Sequence, residues 1–337
     1  MTFNYPKNAS RVGTGLINSP EGLFDTEMSR HVAGALYEFT SFNFSSITSG
    51  RSGPSLAQAL TTYDTATYSW LNDTQFFSED PAYPGIFRWT VPATATYRMI
   101  AAGASGGDNV SGAANVGRGA VITADINLLV GQVLKILLGQ NGEDGSDTCG
   151  AMGGGGGTFV ATVDDTPILV AGGGGGEGYS TNPNGQDASL DTVTGAGTDS
   201  TDGLASGGTG GNGGGLPASA GCSNNEGSSG GGFFGNGATQ GGNGSVQSGG
   251  FAFVNGGLGA QATSWREGGF GGGGGGRYGA GGGGGFSGGG AGSLGGNCTC
   301  NVMTGGGGGG SYINPTFGAL VSASHHTAPG YLQVTKL

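Results

Sequence analysis

Residues 153–176 read GGGGGTFVATVDDTPILVAGGGGG: two short apolar runs, Thr158–Val163 and Ile168–Val170, joined across Asp164, Asp165 and Pro167 and bracketed by pentaglycine on both sides. The apolar runs are rich in β-branched and aromatic residues and are bounded by turn formers, so they read as strands. Both run straight into glycine, so whatever the glycine does is physically continuous with a sheet.

Working outward, strand signals recur at Ile86–Val91, Ala95–Ala102, Ala120–Ile126, Val133–Leu138 and Tyr331–Val334, with a strand-like run of imperfect alternation from Leu36 to Phe44. Ser55–Thr61 after Pro54 reads as about two turns of helix. Short strands separated by Pro, Gly and Asn turns, with no long stretch of helical period, predict a mainly β chain built as an antiparallel, jelly-roll-like sandwich.

The chain has 337 residues, 83 of them glycine, and a formal net charge of −11. Glycine without a G-X-Y period, and with only 11 prolines, excludes collagen. Runs recur at Gly213–Gly215, Gly271–Gly276, Gly281–Gly285, Gly288–Gly290 and Gly305–Gly310. A single run standing alone would be a flexible linker, because glycine loses the most backbone entropy on ordering and buries almost nothing. Extended glycine strands of polyproline-II type lack internal hydrogen bonds, so several can satisfy each other's N–H and C=O groups where no side chain keeps them apart. Recurrence therefore predicts a bundle, with Phe233, Phe234, Phe270 and Phe286 packing at its edges. The expected division is an irregular N-terminal extension over 1–34, a sandwich over 35–170 plus 311–337, and an inserted bundle of polyglycine-II helices over 171–310.

No Lys or Arg occurs between Lys135 and Arg266. Nucleic acid needs phosphate-neutralising cations, so it is not an expected partner, and a charged partner would be basic. No apolar run reaches membrane-spanning length, which predicts no membrane insertion, and no export signal is visible after Met1–Lys7. Cys149, Cys222, Cys298 and Cys300 are candidate disulfide cysteines, with connectivity open, because zinc-ligand spacing is absent. Asn8, Asn43, Asn72, Asn109, Asn243 and Asn297 head N-x-S/T sequons and are candidate glycosylation sites.

The non-glycine blocks carry a resemblance. Trp89–Tyr97 (WTVPATATY), Ser49–Pro54 with Ala57-Gln58, Gly139–Asp144 (GQNGED), Gly268-Gly269-Phe270 ahead of its glycine run, Tyr312–Pro315 (YINP) and Gly330–Val334 (GYLQV) resemble, in order, the extracellular glycine-rich region of the anaplastic lymphoma kinase and leukocyte tyrosine kinase receptors. The similarity spans about residues 36–337. It implies a tumour-necrosis-factor-like sandwich with hexagonally packed polyglycine helices inserted. The departures matter too. No growth-factor-like module, transmembrane helix or kinase is present, Ile47 and Ala59 lie where the family has cysteines, and Arg277-Tyr278 replaces another. Receptor signalling and ligand contacts therefore do not carry over.

Chemistry is sparse. Gly103–Gly107 (GASGG) fits G-x-S-x-G around Ser105, but no helix pattern follows and the histidines are His31, His325 and His326 alone, so a loop is expected there rather than a nucleophile elbow. His325-His326 reads as a surface loop, and Glu143-Asp144 with Asp147 as a solvated turn rather than a calcium site. No P-loop lysine follows any glycine run. The expectation is no catalytic residue, no cofactor and no metal. It is a non-enzymatic recognition or adhesion module on the outside of a particle or cell, extracellular or on a virion surface, binding a protein or glycan partner. The alternative is a structural assembly protein of a virion or extracellular matrix, held in a larger symmetric assembly through residues 1–34, with a hydrolase a distant third.

Overall fold

The computed structural model describes residues 34–109, 115–145, 150–179, 184–190, 194–197, 205–218, 226–242, 245–262, 265–294 and 303–337. It is mainly β, with two antiparallel sheets facing one another. The first has the order β1 (Ser41–Ser45), β13 (Tyr331–Lys336), β4 (Ala95–Ala102), β5 (Gly119–Leu128), β12 (Gly318–His326). The second runs β11 (Tyr312–Ile313), β8 (Pro167–Ala171), β7 (Thr158–Thr162), β6 (Val133–Leu137), β3 (Phe87–Thr90), β2 (Phe77–Glu79). A small ribbon pairs β9 (Gln240–Gly242) with β10 (Ser245–Gln247).

Side-chain alternation explains the layers. Along β5, Ala120, Ile122, Ala124, Ile126 and Leu128 are buried while Thr123, Asp125 and Asn127 are not. One face of the first sheet therefore lines the core and the other meets water, where Arg98 and Asp125 pair across strands at 2.8 Å. The strands β7 and β8 are buried throughout or nearly so. Val160, Leu169 and Ala171 point into the core between the sheets, with Trp89, Tyr97, Phe44 and Phe77. Phe159, Ala161 and Val170 point the other way, into a second apolar cluster with Phe233, Phe253, Phe270 and Phe286. The second sheet is thus covered on both faces, which is why its strands read as continuous apolar runs. Of the four phenylalanines expected at bundle edges, Phe234 is the exception, standing half exposed.

The helix α1 (Leu56–Thr62) begins at Ser55, whose hydroxyl accepts from the Gln58 N–H while the Gln58 side chain accepts from the Ser55 N–H, a capping box. The strand expected over Leu36–Phe44 is confined to Ser41–Ser45. The loop expected at His325-His326 is instead the end of β12, an edge strand paired with β5 through His325↔Ala120 and His326↔Gly119.

The glycine segments leave the sandwich at one end, from β4, β6 and β8 and into β5, β7 and β11. Their backbone partners change with a period of three. Met152 and Gly155 donate to Glu177 and Gly174, Gly153 and Gly156 to Glu143 and Gln140, and Gly154 and Gly157 to Gly274 and Gly271. The carbonyls of this stretch accept from Gly281 and Gly284, from Gly107 and Ala104, and from Gly269. The stretch 152–157 is thus surrounded by six others and bonded to each. Residues 280–286 repeat the pattern: Ala280, Gly283 and Phe286 donate to Thr304, Gly307 and Gly310, Gly281 and Gly284 to Met152 and Gly155, and Gly282 and Gly285 to Ser228 and Gly231. A Cβ built on Gly273 or Gly282 would fall within 3.0 Å of a neighbouring backbone carbonyl, so only glycine lets these chains approach. The network also takes in 103–107, 117, 139–145 and 151–157, so the glycine body begins ahead of residue 171. Gly271 and Gly272, at φ 101° and 81°, turn the chain, so this run is extended only from Gly273.

Candidate functional site

In a body made of glycine, the informative places are those where side chains stand. On the flank of the bundle the segment 115–118 (NVGR), entering β5, lies beside 184–188 (NGQDA). Gly185 donates to the Asn115 carbonyl at 2.8 Å and Ala188 to the Arg118 carbonyl at 2.9 Å, so the two run parallel and in register. Because the backbone partners recur every third residue, residues three apart face the same neighbour. That places Asn115 and Arg118 beside Asn184 and Asp187.

The inner faces are glycine by necessity. A Cβ on Gly117 would meet the Gln186 carbonyl, and one on Gly185 would meet the Gly175 carbonyl and the Gly117 nitrogen. The outer faces enclose an open pocket of about 480 Å³ lined by Asn115, Val116, Arg118, Asn184, Gly185, Gln186 and Asp187. Arg118 grips Asp187 from three donors: its backbone N–H at 2.8 Å, Nε to Oδ2 at 3.1 Å and Nη2 to Oδ2 at 2.6 Å. Burial opposes ionisation of Asp187, but these bonds outweigh it and hold the carboxyl below its usual range. Asn115 Nδ2 donates to Glu177 Oε1 at 3.3 Å. The amides of Asn184 and Gln186 make no side-chain hydrogen bond to any described residue. The pocket is therefore polar, close to neutral, and offers amide donors and acceptors together.

Behind it Glu177 is 2 % exposed. Burial raises its affinity for a proton, and the Asp108 carboxyl beside it acts in the same direction, against the Asn109 N–H and the Asn115 amide.

The other sequence candidates lie apart. Ser105 is buried within the glycine body, its N–H donating to the Ala328 carbonyl, and residues 106–109 after it are not helical. His325 and His326 each hold a carbonyl through Nε2, of Ala188 at 2.8 Å and Gly103 at 2.7 Å. Burial keeps the His326 imidazole below the usual histidine range despite the Gly103 bond. Glu143 receives the Glu267 N–H at 2.7 Å and faces Arg266, and Asp144 receives the Asp108 N–H at 2.8 Å. Asp147, His31, all four cysteines and the sequons at Asn8, Asn243 and Asn297 lie outside the described residues. Asn43 and Asn72 are exposed, and Asn109 is partly so. Among the described residues no three His, Cys, Asp or Glu side chains converge, and no helix is long and apolar enough to cross a membrane.

A second feature lies at the opposite end of the sandwich. The turn 129–132 meets 91–94 there, through Gly131 donating to Val91 and Val130 to the Thr94 hydroxyl. Leu36 donates to Pro92 and Leu337 to Thr96 at the same end. Leu36, Leu129, Val130 and Leu337 are all exposed, with Val163 at the β7–β8 turn and Leu320 and Val321 near the start of β12. Among described large apolar side chains, only Phe234 is similarly exposed elsewhere.

The polar pocket escaped sequence reading because Arg118 and Asp187 are 69 residues apart and the spacings N-x-x-R and N-x-x-D acquire meaning only once backbone partners are seen to recur every third residue. No protein-family model matches the chain, and no curated protein matches it.

Proposed function

We propose that this chain is a non-enzymatic recognition or adhesion module, exposed on the outside of a particle or cell, that is held by one end and presents its glycine body at the other. The observation that carries the reading is the segregation of exposed aliphatic side chains to the end of the sandwich opposite the glycine body. Exposed aliphatic side chains gathered at one end fit an interaction site. The described chain enters the sandwich at that end, Leu36 donating to Pro92, and residues 1–34, which precede it in sequence, are the attachment arm in this reading.

In this reading the sheets form a jelly-roll-like sandwich of the tumour-necrosis-factor type, as the resemblance to the receptor tyrosine kinase glycine-rich region implies, and the glycine segments are polyglycine-II helices. The three-residue period of their backbone partners and the six neighbours around residues 152–157 support this. A body so cross-linked is a stiff spacer, suited to holding a recognition surface away from its support.

The same aliphatic end also favours a second reading, a structural assembly protein of a virion or extracellular matrix. Deletion of residues 1–34 tests attachment: the truncated protein should keep its melting curve and lose incorporation into its native assembly. Normal incorporation of the truncated protein would overturn the arm. Adding soluble truncated protein then separates the two readings, because a recognition module competes with intact particles for their target surface and an assembly protein does not. Unchanged signals in ester and peptide hydrolysis assays after Ser105→Ala are expected on both, and a Ser105-dependent cleavage would revive the hydrolase.

A further inference from the structure

We infer that the flank pocket between residues 115–118 and 184–187 is a binding site for a neutral saccharide, an inference that rests on the recognition reading above and names its ligand class. The first argument is placement. Backbone partners that recur every third residue and glycine-only inner faces leave Asn115, Arg118, Asn184 and Asp187 together in the lining of one pocket. The second is chemistry. Arg118 and Asp187 cancel each other's charge while remaining 50 % and 33 % exposed as side chains, so neither a strong anion nor a strong cation is selected. The Asn184 and Gln186 amides have donors and acceptors uncommitted among described residues, and a sugar's vicinal hydroxyls, each both donor and acceptor, complement them. Val116 contributes the one apolar side chain of the lining and is itself buried. That disfavours drug-like or aliphatic ligands, which need apolar walls.

The third argument is rigidity. Both segments are clamped to the bundle from behind, Gly117 donating to Gly175 and Gln186 to Gly306, so little ordering is needed on binding. With an open mouth and no aromatic platform in the lining, single-site affinity is weak, on the order of millimolar. Many copies on one particle would raise it by avidity.

The test is saturation-transfer NMR on the full-length protein with methyl glycosides of glucose, galactose, mannose and N-acetylglucosamine, and with sialic acid as an anionic control. At least one neutral glycoside should give a signal. The double variant Asn184→Leu/Gln186→Leu should weaken its binding about tenfold or more, the equivalent of one or two hydrogen bonds, with the melting temperature unchanged. Absence of any neutral-glycoside signal, a signal from sialic acid alone, or equal binding by the double variant would each overturn the site. None of these outcomes bears on incorporation through residues 1–34, so the site can fail while the recognition reading stands.

Discussion

The Thr158 hydroxyl donates to the Ala102 carbonyl at 2.6 Å, linking the last residue of β4 in one sheet to the first of β7 in the other. The same oxygen accepts the Gly139 N–H at 3.0 Å. One buried side chain thus satisfies two backbone groups at the plane where sandwich gives way to glycine. Thr158→Val removes both bonds at near-constant shape and leaves a donor and an acceptor buried, which should cost about 2 to 4 kcal/mol. Thr158→Ser keeps the hydroxyl and should lose about 1 kcal/mol with its methyl. Denaturant unfolding of both variants checks the contrast; equal losses would mean that the hydroxyl is not what matters.

The glycine body makes a steric claim that two alanine substitutions separate. A Cβ at Gly273 would collide with the Gly154 carbonyl, whereas one at Gly241 meets nothing within 4 Å. Gly273→Ala should destabilise by about 1 to 3 kcal/mol, as overpacking does. Gly241→Ala should stay within about 0.5 kcal/mol of the parent. Thermal melts compare them directly.

Glu177 gives a pH dependence of defined sign. Its folded-state affinity for protons is raised above the ordinary value of 4.5, chiefly by burial. Its contribution to stability is therefore complete below that value and is lost as pH rises through the folded-state pKa. Glu177→Gln has no charge to bury, so it should melt above the parent at about pH 7 and converge with it near pH 4. A variant that melts lower at neutral pH would show the carboxylate to be stabilised by its neighbours instead.

The aliphatic end predicts a separation of folding from attachment. Leu129 is 66 % exposed and Val130 42 %, so Leu129→Ser/Val130→Ser should change unfolding free energy by no more than about 0.5 kcal/mol. Incorporation into the native assembly should fall sharply. A correctly folded variant that incorporates at parental level would remove this end from the attachment surface.

Strand reading succeeded where burial leaves an alternating or continuous apolar trace. Ala95–Ala102 has the same limits in sequence and structure, and the helix read over Ser55–Thr61 stands at Leu56–Thr62 with Ser55 as its cap. β12 left no such trace. Gly318–His326 is an edge strand of small and exposed residues with a register shift between Leu320 and Ser322, so its pattern has no consistent inner face. The extent of the glycine body was missed for a related reason. Gly103–Gly107 and Gly139–Gly142 are too short to look like runs, and only their partners at Gly156, Gly174 and Phe270 reveal that they belong to it.

Everything turns on whether the glycine segments are held by one another. Amide hydrogen exchange resolved over residues 279–286 addresses this most directly, because Ala280 to Phe286 each donate to a defined backbone carbonyl and none of these segments owes its order to a helix or sheet. The account predicts protection at these amides comparable with that of β5 and lost in the same unfolding transition. Exchange of Gly281–Gly285 at random-coil rates, in a protein whose β5 amides remain protected, would contradict it.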